Sequence, residues 1–104
     1  MKKRSRAVRR EADRAQAKIA RDREKLAAWE RGGSPESPIE IASPAEVEVR
    51  ARSTPCPICQ GELRVLEHTA ETLGGARLRV ARCTCTSCAR ARAIYFRLAS
   101  TMLN

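Results

Sequence analysis

The sequence is poor in the residues that most enzyme sites and base-reading surfaces use. Its 104 residues include one tryptophan, one tyrosine, one phenylalanine and one histidine. It contains no recognisable Ser/His/Asp set, phosphate-binding loop or pair of acids beside a pocket, so we expect no enzymatic activity. Three aromatic rings are also few for stacking on bases, which argues against sequence-specific recognition of nucleic acid.

Long apolar runs are missing as well. The N-terminal segment MKKRSRAVRR is not followed by the apolar run of about seven to fifteen residues that a secretory signal needs. No stretch approaches the roughly 20 apolar residues of a membrane span. We therefore expect a cytoplasmic protein without membrane contact, whose thiols stay reduced. In that setting, paired cysteines are metal ligands or redox groups more often than disulfides.

The charge is strongly positive and unevenly distributed. The formal net charge is +9, and residues 1–31 alone hold 12 Lys/Arg against 5 Asp/Glu. Residues 32–55 hold 2 against 4, and residues 56–104 hold 7 against 3. Six cations precede the first acid, Glu11, and form a candidate nucleic-acid-binding cluster: Lys2, Lys3, Arg4, Arg6, Arg9 and Arg10. Such a cluster is typical of arms that contact phosphates.

Residues 1–31 are predicted to form a basic helical arm. Alanine, arginine, glutamate and lysine dominate residues 5–31, and Gly32-Gly33 ends the helix. An apolar stripe recurs at alternating steps of four and three, with Asp22 at its one missing position: Val8, Ala12, Ala15, Ile19, Leu26 and Trp29. Because the stripe is narrow and mostly alanine, we do not expect a stable coiled coil. A solvated helix and a helix that docks on a partner or nucleic acid both fit this pattern.

Residues 32–46 are predicted to be a flexible linker, since glycine, proline and serine punctuate them. Two short segments alternate apolar and polar residues, Ile39–Ile41 and Val47–Val49. The second is expected to add an edge strand to the domain that follows. That domain, residues 47–104, is predicted to be β, with strands at 62–71, 77–85 and 93–98 and a turn at Gly74-Gly75.

The cysteines carry the chemistry. The motifs CPIC at 56–59 and CTSC at 85–88 are separated by 25 residues, which is room for one hairpin. Each C-x-x-C turn directs two thiolates and backbone N–H groups at one ion, so two turns close a tetrahedral site. A domain of about fifty residues also needs such help to fold. The sequence therefore predicts one structural Zn²⁺, with these ligands: Cys56, Cys59, Cys85 and Cys88.

Four thiolates would saturate the ion. Catalytic zinc keeps an open position for water beside three protein ligands, and a Cys₄ site leaves none. The loaded site would carry a formal charge of −2, from four thiolates and one Zn²⁺. This reduces the net positive charge of the cysteine-containing half of the chain by two.

The segment CPICQGEL, a hairpin, and CTSC leading into the strand RAIYFRL resemble the zinc-ribbon class of folds. The resemblance covers about residues 47–98 and is closest to small uncharacterised bacterial zinc-ribbon proteins. It implies a small three-stranded antiparallel sheet with two zinc knuckles, and ribbons of this class act in transcription, RNA processing, replication or protein docking. The sequence departs from the pattern at Gln60 and Ala89, where such knuckles often carry a glycine with positive φ; Gly61 comes one position later.

The fifth cysteine and the histidine are expected to have other roles. Cys83 lies two positions before Cys85, on the same side of a strand and roughly 7 Å away. We interpret it as a packed side chain, with a substitute ligand or a reactive thiol as alternatives. His68 falls in the middle of a predicted strand, far from both motifs, and is interpreted as a surface or packing residue.

The arginines of the sheet suggest a second nucleic-acid-binding surface. If Leu63, Val65, Leu78 and Val80 face the core, alternation places the polar residues of the same strands on the outer face. If Ile94, Phe96 and Leu98 of the third strand also point inward, that outer face would hold Arg64, Arg77, Arg79, Tyr95 and Arg97. It could bind phosphates and stack one base, although exposed arginines are also ordinary on a β surface.

Three readings of the function follow. The first is a non-catalytic zinc ribbon that binds nucleic acid through its arm and sheet face. The alternative is a protein-interaction module in which Leu26, Trp29 and the apolar segment 39–49 dock on a partner. The third is a redox or metal-responsive thiol protein. Thioredoxin-like proteins place a C-x-x-C motif between a strand and a long helix, and that setting is absent here. The sequence leaves the identity of the partner and the oligomeric state open.

Overall fold

A computed structural model describes residues 6–99 as a small α+β fold, a four-stranded mixed sheet preceded by an N-terminal helix. Its elements are α1 Arg6–Trp29, β1 Ile39–Ile41, α2 Glu46–Ser53, β2 Leu63–Leu73, β3 Ala76–Cys85 and β4 Ala91–Leu98. The strand order is β1-β4-β3-β2, with β1 parallel to β4 and the other pairs antiparallel. Lys2, Lys3 and Arg4 lie outside the described residues.

The three predicted antiparallel strands are confirmed as β2, β3 and β4. The turn between β2 and β3 is the predicted Gly74-Gly75 pair, with φ of 59° and 82°. Two consecutive positive φ values match the right-handed twist of a hairpin and favour glycine at both positions. The register shifts between Val65 and Glu67, so Leu66 forms a β-bulge in β2.

The prediction of a three-stranded sheet is wrong, because β1 adds a fourth strand inside the segment predicted to be a linker. Ile39 pairs with Phe96 and Ile41 pairs with Leu98 in parallel register. Ile41 is fully buried, so the short strand contributes to the core as well as to the sheet. The sequence offered only three alternating residues between prolines, too little to distinguish a strand from a linker.

The predicted edge strand at Val47–Val49 is also wrong, since these residues lie in α2. The carboxylate of Glu46 accepts hydrogen bonds from the backbone N–H groups of Ala42 and Ser43, at 2.7 and 3.0 Å. These bonds satisfy donors just before the helix begins. Val47 and Ala51, four residues apart, are both completely buried on one face of the helix. Local capping and this shared face outweigh an alternation of three residues.

The core lies between α2 and one face of the sheet. Its larger apolar side chains come from four different elements, and three of the five cysteines are buried with them. The members are Ile41, Val47, Ala51, Cys56, Leu63, Ala81, Cys83, Cys85, Ile94 and Phe96. A core this small, with cysteine sulfurs among its members, places the two C-x-x-C motifs directly against the packed interior.

Helix α1 ends where the glycines predict and turns back toward β4. Gly32 has φ of 87°, and its carbonyl accepts a hydrogen bond from the N–H of Tyr95 at 2.9 Å. Ala20 and Ala27 are the buried residues of α1, whereas Leu26 and Trp29 are 66% and 85% exposed. The predicted apolar stripe therefore faces solvent at its C-terminal end.

Neither of the helices described within residues 6–99 has the length and apolar character that a membrane span requires.

Candidate metal centre

The four cysteines of the two C-x-x-C motifs meet in space. All four Sγ atoms lie within 4.8 Å of one another. The Sγ atoms of Cys56 and Cys88 are 3.8 Å apart, and those of Cys59 and Cys85 are 3.4 Å apart. A tetrahedral Zn²⁺ with Zn–S bonds of about 2.3 Å needs sulfur–sulfur distances of about 3.8 Å. The sulfur cluster therefore fits a metal ion of that size and geometry.

The two motifs form turns with the same hydrogen bonds. The N–H of Gln60 donates to the carbonyl of Cys56 at 2.8 Å, and the N–H of Ala89 donates to the carbonyl of Cys85 at 3.0 Å. The N–H of each first cysteine in turn donates to the carbonyl five residues later, at 2.9 Å in both motifs. The chain thus builds the same knuckle twice, and β2 and β3 bring the two copies face to face.

Each knuckle contains one non-glycine residue in the left-handed region. Gln60 has φ of 64° and Ala89 has φ of 62°. These are the two positions at which the sequence departs from the glycine often found in zinc knuckles. The turn keeps its conformation without glycine, at a backbone cost of roughly 1 kcal/mol per residue.

Backbone N–H groups point at the sulfurs. The N–H groups of Cys88 and Ser87 both lie 3.4 Å from Sγ of Cys85. These hydrogen bonds, that from Cys88 first, lower the pKa of Cys85 to about 6. An N–H···S bond that favours the thiolate also favours its binding to a cation.

Cys59 shows the opposite effect. The N–H of Gly61 lowers its pKa, but the neighbouring sulfurs, that of Cys85 foremost, together with burial, raise the pKa to about 11. Four thiolates in so small a volume repel one another. A divalent cation at their centre would remove this repulsion and favour deprotonation of all four.

Gly61 is a site residue whose role the sequence analysis missed. A Cβ atom at this position would lie 2.9 Å from Sγ of Cys85 and 2.7 Å from Oγ of Ser87. Both distances are shorter than a carbon side chain tolerates, so only glycine lets the second knuckle close against the first. The signal in the sequence was the glycine two positions after Cys59, because the lack of a side chain permits close approach as well as positive φ.

Cys83 and His68 lie apart from the sulfur cluster. Cys83 is 2% exposed in the core, where its Sγ lies 3.7 Å from the carbonyl oxygen of Ala81. Burial raises the pKa of this thiol, as expected of a packed and unreactive cysteine. His68 pairs with Ala81 across the sheet, and its buried Nε2 has no hydrogen-bond partner among residues 6–99.

The structure does not bring the predicted arginine surface together. Cross-strand partners share a face, and Val65 pairs with Cys83 while Val80 pairs with Tyr95. The bulge at Leu66 shifts the register by one residue, so Leu63 and Val65 face the opposite side from Leu78 and Val80. The prediction that all four apolar residues face one core is therefore wrong.

The candidate residues of that surface divide between the two faces. Arg64 lies on the same face as Tyr95 and Arg97, whereas Arg77 and Arg79 lie on the face of Phe96. The guanidinium of Arg97 also forms an ion pair with the carboxylate of Glu40. Tyr95 is half-buried, which leaves only part of its ring accessible for stacking.

The described part of the basic arm keeps its positive charge in solvent. Arg6, Arg9 and Arg10 are exposed in the first two turns of α1, and the first turn contains no acidic residue. The N-terminus of a helix already carries a partial positive charge, so cations there are unfavourable without an anion nearby. The first described turn of α1 thus presents positive charge without an acidic residue of its own.

Helix α1 contacts the domain at both knuckles. The Nη1 of Arg23 donates to the carbonyl of Ile58 at 2.5 Å, and Ile58 lies between the two cysteines of the first motif. Glu24 forms an ion pair with Arg90, directly after the second motif, at 3.0 Å. Both polar contacts therefore depend on loops that the sulfur cluster shapes.

Comparisons with protein families, curated proteins and solved structures find no match.

Proposed function

We propose that the chain is a non-catalytic protein whose four cysteines hold one structural Zn²⁺. The observation that carries the proposal is the cluster of four Sγ atoms within 4.8 Å, on two knuckles with the same hydrogen bonds. Zn²⁺ suits four thiolates in a tetrahedron, and four protein ligands fill its coordination sphere. When bound, the ion would cross-link the two knuckles and neutralise part of the thiolate charge. The two knuckles and the hairpin between them also support assignment to the zinc-ribbon class, with β1 and α2 as additions.

Elemental analysis of the purified chain tests the metal assignment. We expect one zinc per chain, and a Cys59→Ser variant should retain far less than one. Replacement of Cys59 removes one of the four sulfurs but leaves the core cysteines in place. A wild-type protein that lacks zinc after reconstitution, or that holds another metal in preference to zinc, would contradict the assignment.

We further propose that the basic arm binds nucleic acid weakly and without sequence preference. The exposed arginines at the positive end of α1 support this function, because a polyanion would relieve their unfavourable position. The division of the sheet arginines between two faces removes them as a single binding surface. The arm would therefore supply most of the affinity through phosphate contacts.

Salt dependence of binding tests the role of the arm. Each phosphate neutralised on duplex DNA contributes about −0.9 to the slope of log affinity against log salt. Deletion of residues 2–10 should make this slope much less steep, while the zinc content stays at one per chain. If the deletion leaves both affinity and slope unchanged, the arm is not the nucleic-acid contact.

A protein-docking function is the second candidate, and two exposed side chains favour it. Leu26 and Trp29 present large apolar surfaces to solvent near the C-terminal end of α1. Exposed aromatic and aliphatic groups side by side are typical of interface anchors. A partner whose binding is insensitive to salt but lost in Trp29→Ser would move this function to first place.

A further inference from the structure

A cleft between α1 and the first knuckle contains an arginine that has no hydrogen-bond acceptor among residues 6–99. The cleft has a volume of about 300 Å³, and its lining includes Arg23, Leu26, Glu30, Gln60 and Arg92. It lies where the C-terminal half of α1 meets the turn of the first cysteine motif. Its polar lining offers two guanidinium groups, one amide, one hydroxyl and the carboxylate of Glu30.

Arg92 is the unusual member of this lining. It is half-buried, and its Nε is inaccessible to solvent and has no hydrogen-bond partner in the described part of the chain. Other arginines have carboxylate partners among residues 6–99: Arg50, Arg82, Arg90 and Arg97. Those four arginines are more exposed to water than Arg92. Water is therefore less able to replace the missing partner at Arg92 than it would be at the other four. The Nε–H of Arg92 is shielded from water without an acceptor, and no acceptor among residues 6–99 meets the rest of its guanidinium, so an anion in the cleft would supply an acceptor to its outer N–H groups.

Two neighbours influence what anion would fit. The Nη1 of Arg23 is held by the carbonyl of Ile58, which fixes its guanidinium beside the cleft rather than leaving it free in solvent. Glu30 also lines the cleft, but no ion pair joins it to Arg92 among the described residues. The guanidinium groups of Arg23 and Arg92 together present several planar N–H donors, a pattern that suits the oxygens of a phosphate.

We propose that this cleft binds a phosphate group, with Arg92 as its central contact and Arg23 beside it. The inference rests on the proposed function, in that the phosphate belongs to a nucleic-acid strand whose further phosphates contact the arm. The cleft is lined by residues of the same helix that carries Arg6, Arg9 and Arg10. The shared chemistry is a phosphate, and a free small phosphate is the other source that the test must distinguish.

A different role for Arg92 follows from the metal centre. Arg92 also lines a smaller cleft with Cys56, and four thiolates around Zn²⁺ carry a net charge of −2. A nearby guanidinium would compensate that charge without binding any ligand. The two roles predict different losses when Arg92 is replaced: phosphate affinity in one case and zinc affinity in the other.

The experiment uses the full zinc-loaded chain and the variant Arg92→Gln, with Arg52→Gln as control. Arg52 is an exposed arginine of α2, so the control loses the same charge outside the cleft. Arg92→Gln should weaken binding of a short single-stranded oligonucleotide about tenfold and reduce the salt slope by about 0.7, the contribution of one phosphate. Arg52→Gln should change the affinity by less than about twofold, and both variants should keep one zinc.

A second measurement follows the Nε–H resonance of Arg92 by NMR, identified by its absence in Arg92→Gln. Addition of the oligonucleotide should shift it, whereas inorganic phosphate at the same ionic strength should shift it only at much higher concentration. Equal shifts at equal phosphate concentration would assign the cleft to a free phosphate. Arg23→Gln provides the affinity test if Arg92→Gln does not fold.

Three outcomes would overturn the proposal: equal effects of Arg92→Gln and Arg52→Gln on the oligonucleotide, loss of zinc affinity alone in Arg92→Gln, or a resonance that neither ligand moves. Failure of the proposed function looks different, because the wild-type chain would then bind no oligonucleotide at all. The inorganic phosphate titration would still decide whether the cleft holds a phosphate.

Discussion

Replacement of Gly61 by alanine should damage the metal centre without removing any ligand. The added Cβ would lie 2.9 Å from Sγ of Cys85 and 2.7 Å from Oγ of Ser87 in the present geometry. Ordinary contacts of such a carbon begin at about 3.4 Å, so the second knuckle must move by several tenths of an ångström. Zinc sites tolerate deviations of only about 0.2 Å in their ligand distances. The first and second knuckles would therefore no longer close on one ion without strain.

The expected loss is about ten- to a hundredfold in zinc affinity, comparable to that caused by removing a hydrogen bond that orients a ligand. Part of the cost is offset, because alanine restricts the unfolded chain and contributes up to about 1 kcal/mol of stability. Competition with a chromophoric chelator would measure the affinity, and the melting temperature of the zinc-loaded protein would measure the stability.

Gly74→Ala is the matched control. A Cβ at Gly74 meets nothing within 4 Å, but the residue has φ of 59°, so the substitution strains the backbone far from the sulfurs. It should lower the melting temperature and, because zinc binding is coupled to folding, weaken zinc binding by no more than about fivefold, the equivalent of about 1 kcal/mol of backbone strain. If Gly61→Ala binds zinc as tightly as the wild type does, the close approach of the two knuckles is not what requires glycine.

Three further substitutions have defined outcomes. Ala89→Gly should raise the free energy of unfolding by about 0.5–1 kcal/mol in chemical denaturation, because glycine adopts a φ of 62° without strain; a lower stability would mean that this φ is not strained. Cys83→Ser should keep one zinc by elemental analysis, whereas Cys59→Ser should lose it, since the Sγ of Cys83 is outside the cluster; the reverse result would reassign the ligands. Glu24→Gln removes the ion pair with Arg90 and should speed amide hydrogen exchange in the last turns of α1 while zinc is retained; unchanged exchange would show that this pair does not hold the helix.

The knuckles and the antiparallel strands were predictable because their signals are local and strong. Cysteine spacing fixes each turn, and the Gly74-Gly75 pair fixes the hairpin between them. The helix α1 was predictable from its composition and from the glycines that end it. Each of these features depends on residues adjacent in sequence.

The errors arose where distant contacts decide the structure. Strand β1 exists because Ile39 and Ile41 pair with β4, which no local pattern reveals. Helix α2 forms because Val47 and Ala51 share a buried face against the sheet, although the sequence Val-Glu-Val alternates like a strand.

The bulge at Leu66 had the largest effect on the functional interpretation. One extra residue in β2 reverses the alternation for the part of the strand nearest Cys56 and Cys85. Regular alternation would place Leu63, Val65, Leu78 and Val80 on one face of the sheet, but they lie on two opposite faces. The arginines of the predicted surface are divided between the two faces in the same way. Nothing in the sequence distinguishes Leu66 from a regular strand residue.

The central claim is that a zinc ion holds the two knuckles together and that the domain needs it to fold. The most direct measurement is far-UV circular dichroism and amide hydrogen exchange of the zinc-loaded chain before and after removal of the metal by a strong chelator. In small zinc domains, metal binding supplies on the order of 10 kcal/mol of folding free energy. We expect residues 56–98 to lose their β signal and their exchange protection together, and to recover both when one equivalent of zinc is restored. A chelated protein that keeps its sheet and its protected amides would contradict the claim.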